Sequence, residues 1–453
     1  MGPSGVIPAC RSTGGSMHDQ IMETRLPRKC GLGCLVIALI GCAAASAQTP
    51  CPSLPPSTGP TIEKHPADAG TLRATVAGAA EGTTILLHDG FYDMSGGDQT
   101  HRLVFSTRGL TLRSVSGNRD AVILDGGYVT GELVSIEASN TTIADLTLAR
   151  AYYHPIHISG PDTPIEGILI HNVHVIDPGE QAVKVNPVGA GTVNNSTLEC
   201  SHLELTDVGR PHIRNNCYTG GLDAHAATGW LVRRNLIEGF WCDDGLSEHG
   251  IHMWRLCQDS IVEENLIIDC ARGIGFGLGP GTDGHIGGII RNNFIAAGDP
   301  DLFSSPSGFD SGIALWGADD AQIYHNTVAS TQAPSASSIE WRFISTSVTL
   351  ANNLVTNRLW DRGGAASLVT NLEYASAGLF TDIASGDLHL LDPSSTPVDA
   401  GTPLAAGLSD GDFDAQVRDA APDIGADEAG RPLFVDGFES GDTSAWSYSS
   451  PSR

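Results

Sequence analysis

Lysine is almost missing from this chain. Lys29, Lys64 and Lys184 are the only ones in 453 residues, and arginine supplies the other side-chain cations. Basic charge is scarce altogether, with 25 Lys and Arg against 52 Asp and Glu. Phosphate binding needs a basic footprint, so nucleic acid is excluded as a partner. An anionic substrate would need a local positive patch. Aromatic residues make up only 6%, while glycine occurs 54 times. That balance suits a β-rich fold with many tight turns. Long apolar runs are lacking too: the stretch from Gly31 to Gly41 is too short to span a membrane. No Cys-x-x-Cys pair occurs, which argues against a zinc-binding cysteine cluster.

The chain's start reads as an export signal. Arg25, Arg28 and Lys29 precede the apolar run, and Ala45-Ser46-Ala47 closes it with small residues. Residues 1–47 are therefore assigned to an extension and signal, with cleavage after Ala47. The expected location is periplasmic or extracellular. Leu39-Ile40-Gly41-Cys42 offers the alternative of a lipid anchor at Cys42. Residues 48–62 form a proline-rich linker, 63–430 the main domain and 431–453 a tail. Six cysteines follow the signal, and in an exported protein they imply disulfides. Cys200 and Cys217 are expected to pair across the insertion Asp207–Gly220.

The chain is organised around Thr219 to Leu278. Leu222-Asp223-Ala224-His225, Ile251-His252-Met253-Trp254 and Ile274-Gly275-Phe276-Gly277 repeat one pattern. Positions one and three are apolar, the period of a strand with one buried face. Copies extend from Val134 to Arg342. Between them, Asn172, Asn235, Asn265, Asn293, Asn326 and Asn353 each sit just before an apolar strand, which predicts an asparagine ladder. Self-similarity at roughly 20–30 residues predicts a solenoid in which each repeat is one coil.

This register resembles the right-handed parallel β-helix superfamily of pectate-lyase-like proteins. Asp423-Ile424-Gly425-Ala426-Asp427-Glu428 is similar to a motif that ends such bacterial domains. The expected fold is all-β: a single-stranded right-handed parallel β-helix with an N-terminal cap near Thr61–Ala80.

Positions two and four of each copy then form two outward columns. Lys184, Asp223, His252 and Gly275 follow one another in the first. Asn186, His225, Trp254, Gly277, Trp316 and Arg342 follow in the second. Lys184, Asp223, His225, His252 and Arg255 form the candidate catalytic cluster, since titratable groups of both signs converge there. Asn186, Trp254, Gly275, Gly277, Trp316 and Arg342 are the candidate substrate-binding residues. The glycines are read as a bare floor and the tryptophans as platforms for sugar rings.

The first functional reading is an exported, monomeric lyase that cleaves a uronic-acid-containing polysaccharide by β-elimination. The resemblance implies Lys or Arg as base, hence Lys184, with His225 or His252 as rivals. It also implies calcium on the substrate carboxylate, although no acidic cluster for calcium is evident. The alternatives are a non-catalytic glycan-binding protein and a polygalacturonase-like hydrolase using Asp243, Asp244 and His249.

Overall fold

Alternating apolar residues can be buried only if each strand finds a neighbour one coil away, and this packing builds the molecule. The structure is a computed structural model that describes residues 51–281 and 283–429. The signal, Cys42 and the 431–453 tail lie outside the described residues. Each coil visits three parallel sheets in turn. After Gly220–Ala224 the chain passes through Leu231–Arg233 and Leu236–Glu238 before returning at His249–Met253. The sheets contain 17, 10 and 10 strands. The fold is a single-stranded right-handed parallel β-helix, the hand that parallel crossovers adopt. Among the described residues, no helix is long and apolar enough to cross a membrane.

The inward register holds. Ile156, Val183, Leu222, Ile251, Ile274, Ile313 and Ile339 are fully buried and stack coil on coil. The N-terminal cap is a 3-10 turn, Pro66–Thr71, followed by a helix, Leu72–Gly78. Leu72 and Val76, four apart on one helix face, are its buried residues. Residues 51–57 also dock on the coils: the Arg113 guanidinium donates to the Pro55 carbonyl at 3.0 Å.

The asparagine ladder runs through Asn235, Asn265, Asn293, Asn326 and Asn353 and ends at Asn371. Asn265 Nδ2 donates to Asn293 Oδ1 at 2.9 Å and to the Val232 carbonyl at 2.9 Å. Its own Oδ1 accepts from Asn235 Nδ2 at 2.9 Å. Asn172 is not a rung. It occupies the left-handed corner residue, φ 49°, one position earlier, where Arg234 and Asn292 also sit. In the coil after Asn172 the rung position is held by Ser201, whose amide donates to Asn235 Oδ1 at 3.0 Å. Truncating Asn265 would strand donors and acceptors of both neighbours away from water. Asn265→Ala is therefore expected to cost about 3 kcal/mol or more in chemical denaturation. A loss under 1 kcal/mol would mean that stacking does not depend on the amides.

The expected Cys200–Cys217 pair does not form. Cys200 bonds Cys51, and Cys217 bonds Cys242. Cys200 sits at the corner between strands Thr197–Glu199 and His202–Glu204. Cys217 sits at a different corner, just before Gly220–Ala224, where the next coil brings Cys242. Cys257 and Cys270 are free and buried, acting as small hydrophobes.

The C-terminal segment covers the outer face of the third sheet. Phe294, Ala329 and Leu354 pack there against Phe380, Leu388, Phe413, Ile424 and Ala426. The Asp423–Glu428 motif is the fastener. Glu428 takes Arg418 in a buried ion pair at 3.0 Å, and the Ala426 amide donates to Thr327 Oγ1.

Candidate active site

The columns read from the alternation are real. Lys184, Asp223, His252 and Gly275 are direct partners on consecutive strands. The insertion Asp207–Gly220 hides no extra coil between Lys184 and Asp223. It instead delivers Tyr218, which no periodicity could place. Lys184 Nζ donates to Asp223 Oδ2 at 2.6 Å and to the Tyr218 hydroxyl at 2.8 Å. It lies 3.3 Å from His225 Nε2, which is itself 3.5 Å from Asp223 Oδ1.

Burial and charge set the protonation of this cluster. Burial works against the Lys184 ammonium, but the Asp223 carboxylate and Tyr218 outweigh it, and its pKa is raised. Burial also opposes the Asp223 charge, yet Lys184 and the histidines hold its pKa below the usual carboxylate value. His225 behaves oppositely. Burial, reinforced by the Lys184 charge, outweighs Asp223 and lowers its pKa to about 4. At neutral pH the site therefore holds an ammonium, a carboxylate and a neutral imidazole.

The other candidates divide. Trp254 is half-buried, with the His225 ring 4.5 Å away and the His252 ring stacked on it at 5.3 Å. With Arg255, Leu278 and Asp283 it lines a cavity of about 210 Å³. His252 is fully buried, and its Nε2 donates to the Gly277 carbonyl at 2.9 Å. A sheathed ring of this kind cannot reach a sugar proton. Arg255 turns away to Asp283 at 2.9 Å, so it does not join the Lys184 cluster. Asn186 is exposed at the rim.

The bare floor is not bare. A Cβ on Gly275 would stand 2.8 Å from the His249 ring, and one on Gly277 2.3 Å from the Trp316 carbonyl. Trp316 is no open platform either. It is buried, donates to Glu340 Oε1 at 2.6 Å and lies beneath Arg272 and Arg342. At all three positions the face is closed rather than open.

A third outward column, Gln181, Gly220, His249, Arg272 and Ser311, was not predicted. Alternation breaks at Gly221, Gly250, Gly273 and Gly312, where a Cβ would meet core atoms or the neighbouring backbone. The residue before each small one therefore points outward. A small residue before each apolar-x-apolar triplet from Val183 to Trp341 (Ala182, Gly221, Gly250, Gly273, Gly312 and Ser338) is the available signal. Asp243 and Asp244 are exposed on a loop beside Cys242, where they line a cavity with Arg210 and Arg214.

Calcium does not fit the Lys184 cluster. It takes six to eight oxygen ligands, whereas among the described residues Asp223 is the one carboxylate bonded to Lys184 and is already spent on it.

Buried histidines also fix the response to acid. Burial lowers the pKa of His154 and His225 to about 4, and of His285 and His325 to about 3. The unfolded chain binds these protons from about 6.5 downward, so each contribution is lost as pH falls through that window. Asp412 and Asp423, raised by burial to about 6, act in the opposite sense. The four histidines by themselves are therefore expected to lower stability as pH falls from about 6.5. His285→Gln should flatten the slope of denaturation midpoint against pH. An unchanged slope would show that His285 is not held neutral.

The sequence matches no family profile and no curated protein. Several solved structures share the fold. A pectate lyase is 15% identical, covering 82% of this chain and 97% of its own, with a TM-score of 0.46. An alginate lyase from a Paenibacillus species is 14% identical, covering 70% and 99%, with a TM-score of 0.39. A surface adhesin of Streptococcus pneumoniae is 10% identical, covering 70% and 93%, with a TM-score of 0.34. These likenesses are of fold alone.

Proposed function

We propose that this chain is an exported polysaccharide lyase that cleaves a uronic-acid-containing chain by β-elimination. One observation carries the reading: a neutral imidazole, an ammonium and a phenol converge beside a half-exposed tryptophan on one sheet face. β-Elimination needs those three groups. His225 takes the C5 proton as base. The C–H electrons form the C4–C5 double bond as the C4–O bond breaks. Lys184, fixed by Asp223, faces the uronate carboxylate and holds the charge that develops there. Tyr218 gives its proton to the departing oxygen. The base role that resemblance assigned to Lys184 passes to His225, because Lys184 is held protonated. Trp254 supports the sugar ring, and Asn186 reaches it from the rim.

The test is a screen of the purified protein against polyuronates and glycosaminoglycans. The new double bond absorbs in the ultraviolet, so absorbance should rise with one substrate. No rise on any uronate polymer, with glycan binding intact, would leave the protein a binder and end this reading.

A further inference from the structure

One coil beyond Asp223, three side chains meet with part of their hydrogen-bonding capacity unspent. Glu248 ends the loop before the strand His249–Met253, which carries His249 and His252. Both imidazoles are buried, with ring centres 4.3 Å apart. Glu248 Oε2 lies 3.4 Å from His252 Nδ1 and 3.9 Å from His249 Nδ1. Among the described residues, neither nitrogen of His249 has a hydrogen-bond partner, nor has His252 Nδ1 or Glu248 Oε2. Buried polar groups left this way are costly, since they give up water and gain nothing in return.

The tautomer is fixed by chemistry. A carbonyl oxygen only accepts, so the His252 Nε2 that faces the Gly277 carbonyl at 2.9 Å carries the hydrogen. In the neutral ring, Nδ1 then turns a lone pair toward a carboxylate oxygen, which is repulsive unless something positive lies between. A proton shared by His252 and Glu248 would still leave both His249 nitrogens unpaired. A metal ion satisfies all three residues together. Burial holds His249 well toward the neutral, ligating form. The glycine at Gly275 leaves room for that ring, since a Cβ there would stand 2.8 Å from it. Arg272 on the next coil is bonded to Asp310 at 3.0 Å, and its charge reaches Glu248 only from a distance.

We propose that Glu248, His249 and His252 bind a divalent first-row transition ion of the zinc type. Their ligand atoms all lie within 4.8 Å of one another. Ligands at about 2.0–2.1 Å from a tetrahedral ion stand roughly 3.4 Å apart, so a small contraction closes the site. Two imidazoles and one carboxylate favour such an ion over calcium or magnesium, which take oxygen donors. The bond from His252 Nε2 to a backbone carbonyl is the usual orienting contact behind a metal-bound imidazole. Three protein ligands leave coordination positions open. The site stands on its own geometry and does not require the elimination chemistry.

The test uses the untagged full chain, freed of metal by a chelator and titrated with Zn2+ by calorimetry. One saturable site per chain is expected. Glu248→Gln keeps the side-chain shape and should weaken binding by ~100-fold or more, at least the cost of losing a supporting contact. Its unfolding midpoint without metal should match that of wild type. X-ray absorption on zinc-loaded wild type needs no variant and should show two imidazole ligands. No saturable zinc binding, undiminished binding by Glu248→Gln, or a coordination shell without two imidazoles would each overturn the assignment.

Discussion

Replacing His225 by alanine is expected to abolish turnover by ~100-fold or more, the usual worth of a positioned base. The fold should survive. The ring is half-buried and touches Lys184 at 3.3 Å without holding any backbone group. Its loss also leaves the Lys184–Asp223 pair intact. Two readouts separate a base from a prop. The rate of the variant should recover when imidazole is added to the buffer. Binding of substrate should change far less than turnover, because the ring contributes only once a proton moves. Turnover at the wild-type rate would remove His225 from the chemistry and return the base role to another group.

Removing the Lys184 ammonium should hurt both stability and activity. Asp223 is 1% exposed, and Lys184 is its charged partner at 2.6 Å. Lys184→Ala leaves a buried carboxylate without its cation, an expected loss of about 3–5 kcal/mol. Activity should fall as well, since among the described residues no other Lys or Arg is paired with Asp223 to offer a uronate a fixed positive charge. The double variant Lys184→Met with Asp223→Leu distinguishes the two effects. Replacing both charges with apolar groups of similar size is often neutral for stability. The double variant should therefore unfold near the wild-type midpoint and remain inactive. If Lys184→Ala unfolds like wild type, Asp223 is not the desolvated partner described above.

What could be read before the fold was known follows from periodicity. A period of two places a side chain on one face, and coil stacking then puts Lys184 beside Asp223 and Asp223 beside His252. Those neighbours needed no tertiary information beyond the repeat. Corners obey no such rule. Tyr218 arrives from an insertion, and His249 points outward only because Gly250 breaks the alternation. Asn172 lies one residue off the ladder because the left-handed corner and the rung are adjacent positions. The expected Cys200–Cys217 pair fails for the same reason, since sequence spacing does not say which corner a cysteine occupies. Trp316 and Gly275 show a different limit. Both face outward from the core, yet side chains of neighbouring coils and the strand ends cover them. Outward is not the same as exposed.

Elimination and hydrolysis leave different products, and weighing them tests the central claim most directly. A polyuronate cut by this protein should be analysed by mass spectrometry together with its ultraviolet absorbance. The account predicts that each cut yields one fragment lighter by one water than its hydrolysis counterpart, with one new double bond for each new reducing end. Reducing ends of full hydrolytic mass, without the double bond, would contradict it.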